Sequence, residues 1–169
     1  TFTHNSGTVI FNGTTQNMAA VSYYNLQLVG TDAKTLSSGD LSVGGVLTTT
    51  KALSVTAGSL SVTGASSIGA NISTTGVQTY TGDMTVSATS TLTSLNGSIT
   101  LNNVVGSGSL TVNAATTTTL TVLKSIGISG SLTNAGGSFI TNGGAITAGG
   151  LIVNGGTFNS ASAAGTWTI

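Results

Sequence analysis

The side chains that could perform acid–base chemistry are few and widely spaced along the chain. Its only carboxylate side chains are those of Asp32, Asp40 and Asp83, and its only imidazole is that of His4. A glycan-cleaving enzyme would need two carboxylates, or a carboxylate with cationic partners, in one cleft. Asp40 and Asp83 each follow a glycine at the same point of a recurring pattern, which is typical of a turn residue. We therefore expect no enzymatic activity.

The same side chains offer no site for a metal or a cofactor. The chain has no cysteine, and His4 has no second histidine with which to share a metal ion. Serine and threonine are abundant, but a nucleophilic hydroxyl needs a base, and His4 is the only ordinary candidate. Asp32 and Lys34 lie close together in the sequence and predict an exposed ion pair of little energetic value. We expect no catalytic residue, no bound metal and no cofactor.

Charge is sparse and balanced, because three lysines and three aspartates give a formal net charge of zero. A nucleic-acid binder needs clustered lysine and arginine, and an anionic membrane surface attracts basic segments, so neither partner is expected. No apolar run approaches the ~20 residues that cross a bilayer. Surfaces rich in hydroxyls and amides are common outside cells, and the chain begins at Thr1 rather than at methionine. These features favour a secreted, extracellular or cell-surface protein that is a processed product or a segment of a longer one.

One five-residue pattern recurs along the chain: glycine, a small or polar residue, an aliphatic residue, a small or polar residue, and an aliphatic residue. Residues 58–62 (GSLSV) are the clearest copy. Other copies begin at Gly39, Gly82, Gly97, Gly108 and Gly149, with a truncated copy at Gly130. Each copy predicts a turn followed by a short strand whose alternate side chains face an apolar interior. Because of this periodicity we expect an ordered chain, although abundant glycine and serine are typical of disordered segments.

The spacing of the copies predicts the architecture. With Gly97 taken as a half-period copy, successive glycines lie 19 to 26 residues apart and about 22 on average, which suits one coil of a β-solenoid. A single coil cannot bury its inward aliphatic side chains, whereas stacked coils share one continuous core. The absence of proline agrees, because proline deletes a ladder hydrogen bond. We expect an all-β, single-stranded β-solenoid (a parallel β-helix) with coils of about 22 residues and positive-φ glycines at its corners.

An antiparallel β-sandwich is the alternative architecture. Four Asn-Gly pairs signal hairpin turns, at residues 12–13, 96–97, 142–143 and 154–155. Short strands with turns every ~8–12 residues also suit a sandwich. Against it, sandwich cores use bulky aromatic side chains, and Tyr80 is the only aromatic residue between positions 25 and 138. A narrow solenoid interior needs only leucine, valine, isoleucine and alanine.

The whole chain, residues 1–169, forms a single domain in this interpretation, with three unlike parts. Residues 1–30 are atypical: residues 2–5 and Thr8–Phe11 predict two strands, a turn follows at residues 12–13, and residues 21–29 predict a longer strand. Residues 39–155 contain the repeat coils. Residues 156–169 predict a C-terminal docking strand, because they end in a strand-like pattern and contain no charge or proline that would block pairing.

The N-terminal part also resembles a known class of protein. The segment FTHNSGTVIFNG at residues 2–13, followed by Tyr24-Asn25-Leu26 and Lys34-Thr35-Leu36, is similar to the Gly/Thr-rich repeat regions of large secreted bacterial surface proteins. The resemblance is clear over residues 1–65, whereas the remainder of the chain is similar only in its general Gly/Thr-rich character. It implies a β-solenoid stalk, adhesin or fibre with a structural or adhesive role, and it supplies no catalytic residue.

Aromatic residues cluster toward the two ends of the chain, where a solenoid exposes its cross-section. We expect these ends to associate head to tail into a homopolymeric filament, because a contact between unlike surfaces that does not close generates a fibre. The residues expected at this interface are Phe2, Phe11, Tyr23, Tyr24, Phe158, Trp167 and Ile169. A stalk segment of a large secreted adhesin is the alternative, and a surface glycan or receptor as partner stays open.

Threonine clusters suggest a third and lesser hypothesis, that of an ice-binding protein. Residues 48–50, 89–93 and 116–119 resemble the threonine arrays of ice-binding solenoids. Such an array must lie on one face in successive coils, and the spacing of these clusters is uneven. Threonine is also a strong strand former, so the clusters need no binding function to explain them.

Overall fold

The computed structural model describes residues 5–115, 119–142, 144–155, 157–160 and 167–168, and every structural statement below concerns these residues. They form strands, turns and bends, with no helix among them. The strands join into one continuous sheet. In chain order they are β1 Thr8–Phe11, β2 Gln16–Asn17, β3 Ser22–Tyr23, β4 Asn25–Leu28, β5 Lys34–Leu36, β6 Leu41–Val43, β7 Leu47–Thr49, β8 Leu53–Val55, β9 Leu60–Val62, β10 Ser66–Ile68, β11 Ile72–Thr74, β12 Gln78–Val86, β13 Ser90–Ser94, β14 Ile99–Gly106, β15 Leu110–Ala114, β16 Thr119–Val122, β17 Ile126–Gly136, β18 Ser138–Thr141, β19 Ile146–Val153, β20 Phe158–Ser160 and β21 Trp167–Thr168.

Each coil of the chain carries three strands, one on each of three faces. Face A is the stack that begins with β1, β4, β7 and β10. Face B begins with β2, β5, β8 and β11, and face C begins with β3, β6 and β9. The four long strands, β12, β14, β17 and β19, each bend around a corner and so contribute to two faces. Before β21, the chain passes through faces A, B and C eight times in succession. The first of these coils has none beneath it, so about seven coils rest on a preceding one.

All twenty pairings between the described strands are parallel. This confirms the predicted β-solenoid, and the antiparallel sandwich is wrong. The Asn-Gly pairs at residues 12–13, 96–97 and 154–155 do not form hairpins, because they occur at corners between parallel strands. Gly143 of the fourth pair lies outside the described residues. A type I′ hairpin needs positive φ at both of its central residues. Within the described ranges, positive φ occurs only at Asn5, Ser6, Gly30, Gly39, Gly106 and Gly137.

Most coils are shorter than the spacing of the pattern predicts. The register partners Thr8 and Asn25, in the first two coils, are separated by 17 positions in the sequence. Residues that hydrogen-bond across later coils are separated by 19 positions at Asp40 and Ser59, and by 20 at Asn71 and Thr91. The predicted separation of 22 is reached further along the rod, as between Ser109 and Ser131. Coil length therefore varies along the rod, and the predicted value fits only part of it.

The predicted coil length differs from the observed one because copies of the glycine pattern lie on all three faces. Copies precede face C at Gly39, Gly58 and Gly97, face A at Gly82, and face B at Gly108, Gly130 and Gly149. The pattern is therefore a repeat of one side of a coil rather than of a whole coil. Gly97 is not a half-period copy, since it lies two coils beyond Gly58 on the same face.

The glycines of the pattern are required mainly by the close approach of two backbones. Among those that the structure describes, only Gly39 has a positive φ, of 86°. Gly82 stacks on Gly64, which stacks on Gly45, and a Cβ atom on either of the upper two would overlap the carbonyl oxygen of the glycine beneath it. Any larger residue at this corner would force the coils apart. The expected role of glycine in supplying positive φ therefore holds at few of the repeat corners.

The core is a set of columns of inward side chains that run along the rod. One column on face C contains the buried residues Leu41, Leu60, Gln78 and Ile99. One column on face A contains the buried residues Leu26, Leu47, Ser66, Met84 and Val104. Each fully buried leucine, isoleucine, methionine or valine contributes about 1.5–3 kcal/mol, so stability depends on each column continuing from one coil to the next.

Hydroxyl and amide side chains fasten neighbouring coils at the corners. A hydroxyl just after a strand donates to a carbonyl of the preceding coil, as Thr56 Oγ1 does to Leu36 O at 3.3 Å. A side-chain oxygen just before a strand accepts the N–H of its register partner in the next coil, as Asn71 Oδ1 does from Thr91 at 2.9 Å. Each such bond adds about 0.5–1.5 kcal/mol. The abundance of threonine, serine and asparagine thus has a structural use.

The N-terminal segment belongs to the same stack. The long strand predicted at residues 21–29 is wrong, because β3 on face C and β4 on face A meet there at a corner formed by Tyr24. Tyr23 and Leu26 are both buried. Strand alternation would place their side chains on opposite sides, so the chain must turn between them. The strand predicted at Thr8–Phe11 is present as β1, and of residues 2–5 only Asn5 lies within the described ranges.

Replacement of Thr49 by valine tests the packing of this core. Thr49 Oγ1 is buried and has no hydrogen-bond partner among the described residues. Because valine has nearly the same shape, Thr49→Val should raise the free energy of unfolding by about 1 kcal/mol, measured by urea titration with circular dichroism. The matched control is Thr74→Val, since Thr74 Oγ1 donates to Gly76 O at 2.6 Å, and this variant should lose about 1–2 kcal/mol. A Thr49→Val protein less stable than the wild type would contradict the packing.

Candidate functional site

The aspartates do not form a reactive group. Asp40 precedes a strand on face C, and its Oδ1 accepts a hydrogen bond from the Ser59 N–H at 2.8 Å. Asp83 lies on face A beside its register partner Asn103, and Asp32 is exposed in the turn before β5. The two aspartates of the repeated pattern therefore lie on different faces. In the part of the chain that the structure describes, no three His, Cys, Asp or Glu side chains could hold a metal ion together.

Lys34 is buried, and the exposed ion pair predicted with Asp32 is wrong. The stem of Lys34 occupies an inward column on face B, above its register partner Gln16. Its Nζ donates to three backbone carbonyl oxygens, those of Gly13 at 2.7 Å, Thr14 at 3.1 Å and Asp32 at 3.0 Å. A buried ammonium needs such partners, because an unmade hydrogen bond is costly there. Lys34 therefore fastens a corner of the first coil to the second.

A second polar cluster lies inside the rod. Tyr80 and Gln78 are fully buried, and Tyr80 Oη donates to Gln78 Oε1 at 3.0 Å. Gln78 Nε2 donates in turn to Thr93 O at 2.7 Å and to Thr74 Oγ1 at 3.3 Å. Burial raises the pKa of Tyr80 far above its ordinary value of 10.0. Because its members are enclosed by the core, this cluster stabilises the fold and offers no surface to a ligand.

The first coil leaves part of its apolar interior uncovered. Val9 and Phe11 occupy the same inward columns as Leu26 and Leu28, their register partners on face A. Leu26 and Leu28 are fully buried, whereas Val9 and Phe11 are only half-buried. The rings of Phe11 and Tyr23 pack in a T-shaped arrangement, with the ring centroids 6.2 Å apart and the planes at 76°. The N-terminal end of the stack therefore presents aliphatic and aromatic surface.

The last coil on face B is uncovered in the same way. Leu151 and Val153 continue inward columns whose preceding members are Leu132 and Asn134, both 0% exposed. Leu151 is only half-buried, and 40% of the surface of Val153 is exposed. Their neighbour Ile152 points outward and is 45% exposed. The C-terminal end thus presents inward-facing side chains that a further coil would cover.

The residues predicted at the interface have mixed positions. Phe11 lies at the N-terminal end beside Tyr23, but Tyr23 is only 3% exposed and its hydroxyl donates to Ala19 O at 3.0 Å, so its ring belongs to the core of its own chain. Tyr24 is half-exposed at a corner, with its ring against Gly45.

The remaining predicted residues lie near the chain ends. The backbone of Phe158 pairs with Phe139 on face C, and that of Trp167 pairs with Ile146 on face A. Their side chains lie outside what the structure describes. The predictions for Phe2, His4 and Ile169 fall outside the described residues altogether.

Sequence reasoning missed Val9, Leu151 and Val153. Their exposure follows from their place in the outermost coils rather than from their type. Leu151 and Val153 belong to the last copy of the glycine pattern, and Val9 belongs to the first strand. Position along the repeat is the sequence signal that identifies them, because the first strand and the last copy of the pattern lie in the outermost coils.

The threonine clusters do not share one face. Residues 48–49 lie on face A and residues 90–93 on face B, while Thr119 begins a strand on face C and residues 116–118 lie outside the described ranges. A regular hydroxyl column exists elsewhere, on the outer surface of face C. Its members are Ser22, Ser42, Ser61, Thr79, Thr100 and Thr121.

The buried tyrosines predict a loss of stability at alkaline pH. The unfolded chain releases a tyrosine proton near pH 10, whereas burial raises the pKa of Tyr80 in the folded chain and, to a smaller degree, that of Tyr23. The stability that neutral tyrosine contributes is complete below about pH 10 and is lost above it, by about 1.4 kcal/mol per pH unit for each such residue. Urea midpoints measured across this range should show the slope. Tyr80→Phe should flatten this slope relative to the wild-type protein.

Comparison with protein-family models, with curated proteins and with solved structures finds no match for this chain. The fold is therefore defined by the strand register of the molecule itself. Within the described ranges, no helix has the length and apolar character that crossing a bilayer would take. Among the described residues, the candidate functional surfaces are the exposed apolar side chains of the first and last coils and the hydroxyl column of face C.

Proposed function

We propose that this protein is a structural subunit of an extracellular filament or surface fibre, in which subunits stack head to tail through their terminal coils. The observation that carries the proposal is the exposure of inward side chains in the last coil. Val153 occupies a column that is fully buried one coil earlier at Asn134, yet 40% of its surface is exposed. A further coil is what would bury it, as each earlier coil is buried by the next.

The second step is the match between the two ends. All described pairings are parallel, so the edge of the last coil and the edge of the first have the same chain direction. A second copy placed on the C-terminal end would continue the hydrogen-bond ladder and would cover apolar surface with Val9 and Phe11. Because the two ends are unlike, this contact is heterologous. Each subunit that is added leaves one end free for the next, which generates a filament.

The third step is the lack of features that block edge pairing. Natural proteins protect exposed strand edges with lysine, proline or inward charges. This chain has no proline, and its three lysines are Lys34, Lys51 and Lys124. Lys34 is bound to backbone carbonyls inside the stack, and the other two lie in its middle coils. The terminal coils therefore have no lysine that would repel another copy.

A stalk segment of a large secreted adhesin is the alternative that the same ends favour. Coils of the same polypeptide, rather than of another copy, would then cover Val9 and Val153. The resemblance of residues 1–65 to secreted bacterial surface proteins supports both hypotheses and supports an extracellular location. Ice binding is a lesser alternative that the hydroxyl column of face C would serve, and a thermal-hysteresis assay measures it directly.

A matched pair of charge substitutions on β19 tests the filament. Val153→Lys would bury an unpaired ammonium in the contact between copies, so it should weaken association by about 100-fold or more. Ile152→Lys places the same charge one residue away on the outer surface, and association should change by less than about threefold. Association is measured by sedimentation across a concentration series, and fibres are observed by negative-stain microscopy.

Two outcomes would count against the proposal. Equal effects of Val153→Lys and Ile152→Lys would show that inward surface of the last coil is not the contact. A wild-type chain that stays monomeric at high concentration would overturn the filament and favour the stalk segment. Circular dichroism of each variant establishes that the strands remain formed.

A further inference from the structure

We propose that Asn154–Gly155 is the preferred site of spontaneous deamidation among the Asn-Gly pairs whose two residues the structure describes, and that the reaction places a carboxylate on the open C-terminal coil. In this reaction the Gly155 nitrogen attacks the side-chain amide carbon of Asn154. The amide nitrogen leaves as ammonia, taking up the proton that the Gly155 nitrogen loses, and a cyclic imide forms. Water then opens the ring to aspartate or isoaspartate, so solvent is the only co-reactant.

The reaction depends on the state of the glycine N–H. Glycine after asparagine favours ring closure because it has no side chain to obstruct the attack. A hydrogen bond from the glycine N–H to an ordered acceptor opposes it, because the nitrogen must lose that proton and move toward the asparagine side chain. Asn-Gly pairs of equal intrinsic reactivity should therefore differ in the folded protein according to whether their glycine N–H is engaged.

Two of the pairs are protected in this way. The Gly13 N–H, after Asn12, donates to Gln16 Oε1 at 2.8 Å. The Gly97 N–H, after Asn96, donates to Ser94 Oγ at 3.0 Å. Gly97 is also buried, and a Cβ atom built on it would clash with the backbone of Gly76 and Val77 in the coil beneath. That corner has little room for the rotation that ring closure needs.

Asn154–Gly155 lacks this protection. Its backbone is held to the preceding coil by two bonds, from Asn154 N to Asn134 O at 2.9 Å and from Asn134 Nδ2 to Gly155 O at 3.1 Å. Neither bond uses the Gly155 N–H, which has no acceptor among the described residues. Asn154 itself is exposed. The nitrogen and the side chain that must react are thus the two groups left unengaged.

The position of the site gives the reaction a consequence. Asn154 follows Val153 directly, at the corner between faces B and C of the last complete coil. The nearest lysine in the sequence, Lys124, lies at a different corner, between faces C and A. No lysine at that corner would neutralise the new carboxylate. Resting on the proposed function, we infer that deamidation weakens head-to-tail stacking as a subunit ages.

Peptide mapping by mass spectrometry tests the site. The folded wild-type protein is incubated at mildly alkaline pH, and aspartate plus isoaspartate are quantified at Asn12, Asn96 and Asn154 over time. Asn154 should react about tenfold faster than either of the others, as expected when one hydrogen bond is absent. In denaturant, where no N–H is engaged, the three rates should converge. Faster reaction at Asn12 or Asn96 in the folded protein would overturn the assignment.

Gln16→Ala provides the matched variant. It frees the Gly13 N–H and should raise the rate at Asn12 by about tenfold toward that of Asn154, while the rate at Asn154 stays unchanged. The unchanged rate at Asn154 also serves as the control for folding. An unaltered rate at Asn12 would refute hydrogen bonding of the glycine as the cause.

The consequence is tested separately with Asn154→Asp. This variant should sediment as smaller assemblies than the wild type, whereas Asn113→Asp, at an exposed mid-rod position of face B, should not. Preferential deamidation at Asn154 together with wild-type assembly of Asn154→Asp would uphold the site and overturn its effect on stacking. The peptide-mapping result holds whether or not the protein forms filaments, so the two proposals fail independently.

Discussion

Parallel pairing of coils at a spacing of about 4.8 Å decides what each position of the chain can hold. At the corners the backbones approach so closely that Gly82, Gly64 and Gly45 must stack without side chains. Inside, a side chain must continue the column of the coil beneath it. Outside, hydroxyls and amides bond to the backbone of a neighbouring coil, as Thr56 does to the preceding coil and Asn71 to the next. The abundance of glycine, serine and threonine therefore follows from the parallel stacking of coils.

The interior is mostly aliphatic, and a few polar side chains also occupy its inward columns. Lys34 and Gln78 occupy columns that leucine fills in a neighbouring coil, and both are tolerated because their polar atoms find partners. Thr49 and Ser66 enter the same interior without partners for their hydroxyls within the described residues. The rod therefore contains both satisfied and unsatisfied polar positions, and only the first kind adds to stability.

The sequence was sufficient for the architecture because alternation and glycine spacing are local properties, as in residues 58–62. It was insufficient for anything that depends on which side of the coil a residue occupies. The predicted coil length exceeds the observed one over most of the rod because copies of the pattern lie on three faces. The sequence predicts Lys34 at the surface because its inward position is visible only in the register, where it pairs with the buried Leu53 of the next coil. The exposure of Val153 does not follow from its residue type, because within the described residues it differs from the buried valines only in having no strand stacked above it on face B.

The presence of the same short pattern on all three faces has a consequence for how such a chain can change its length. One side of a coil carries its own glycine corner and its own inward pair, as Gly58 with Leu60 and Val62 does. A gene segment that encodes one side could therefore be duplicated or deleted without leaving an apolar gap. Everything beyond that point would rotate by a third of a turn about the rod axis. Such an event would disrupt surface features that need aligned faces in successive coils. It would leave the core intact, because each side of a coil supplies its own inward side chains.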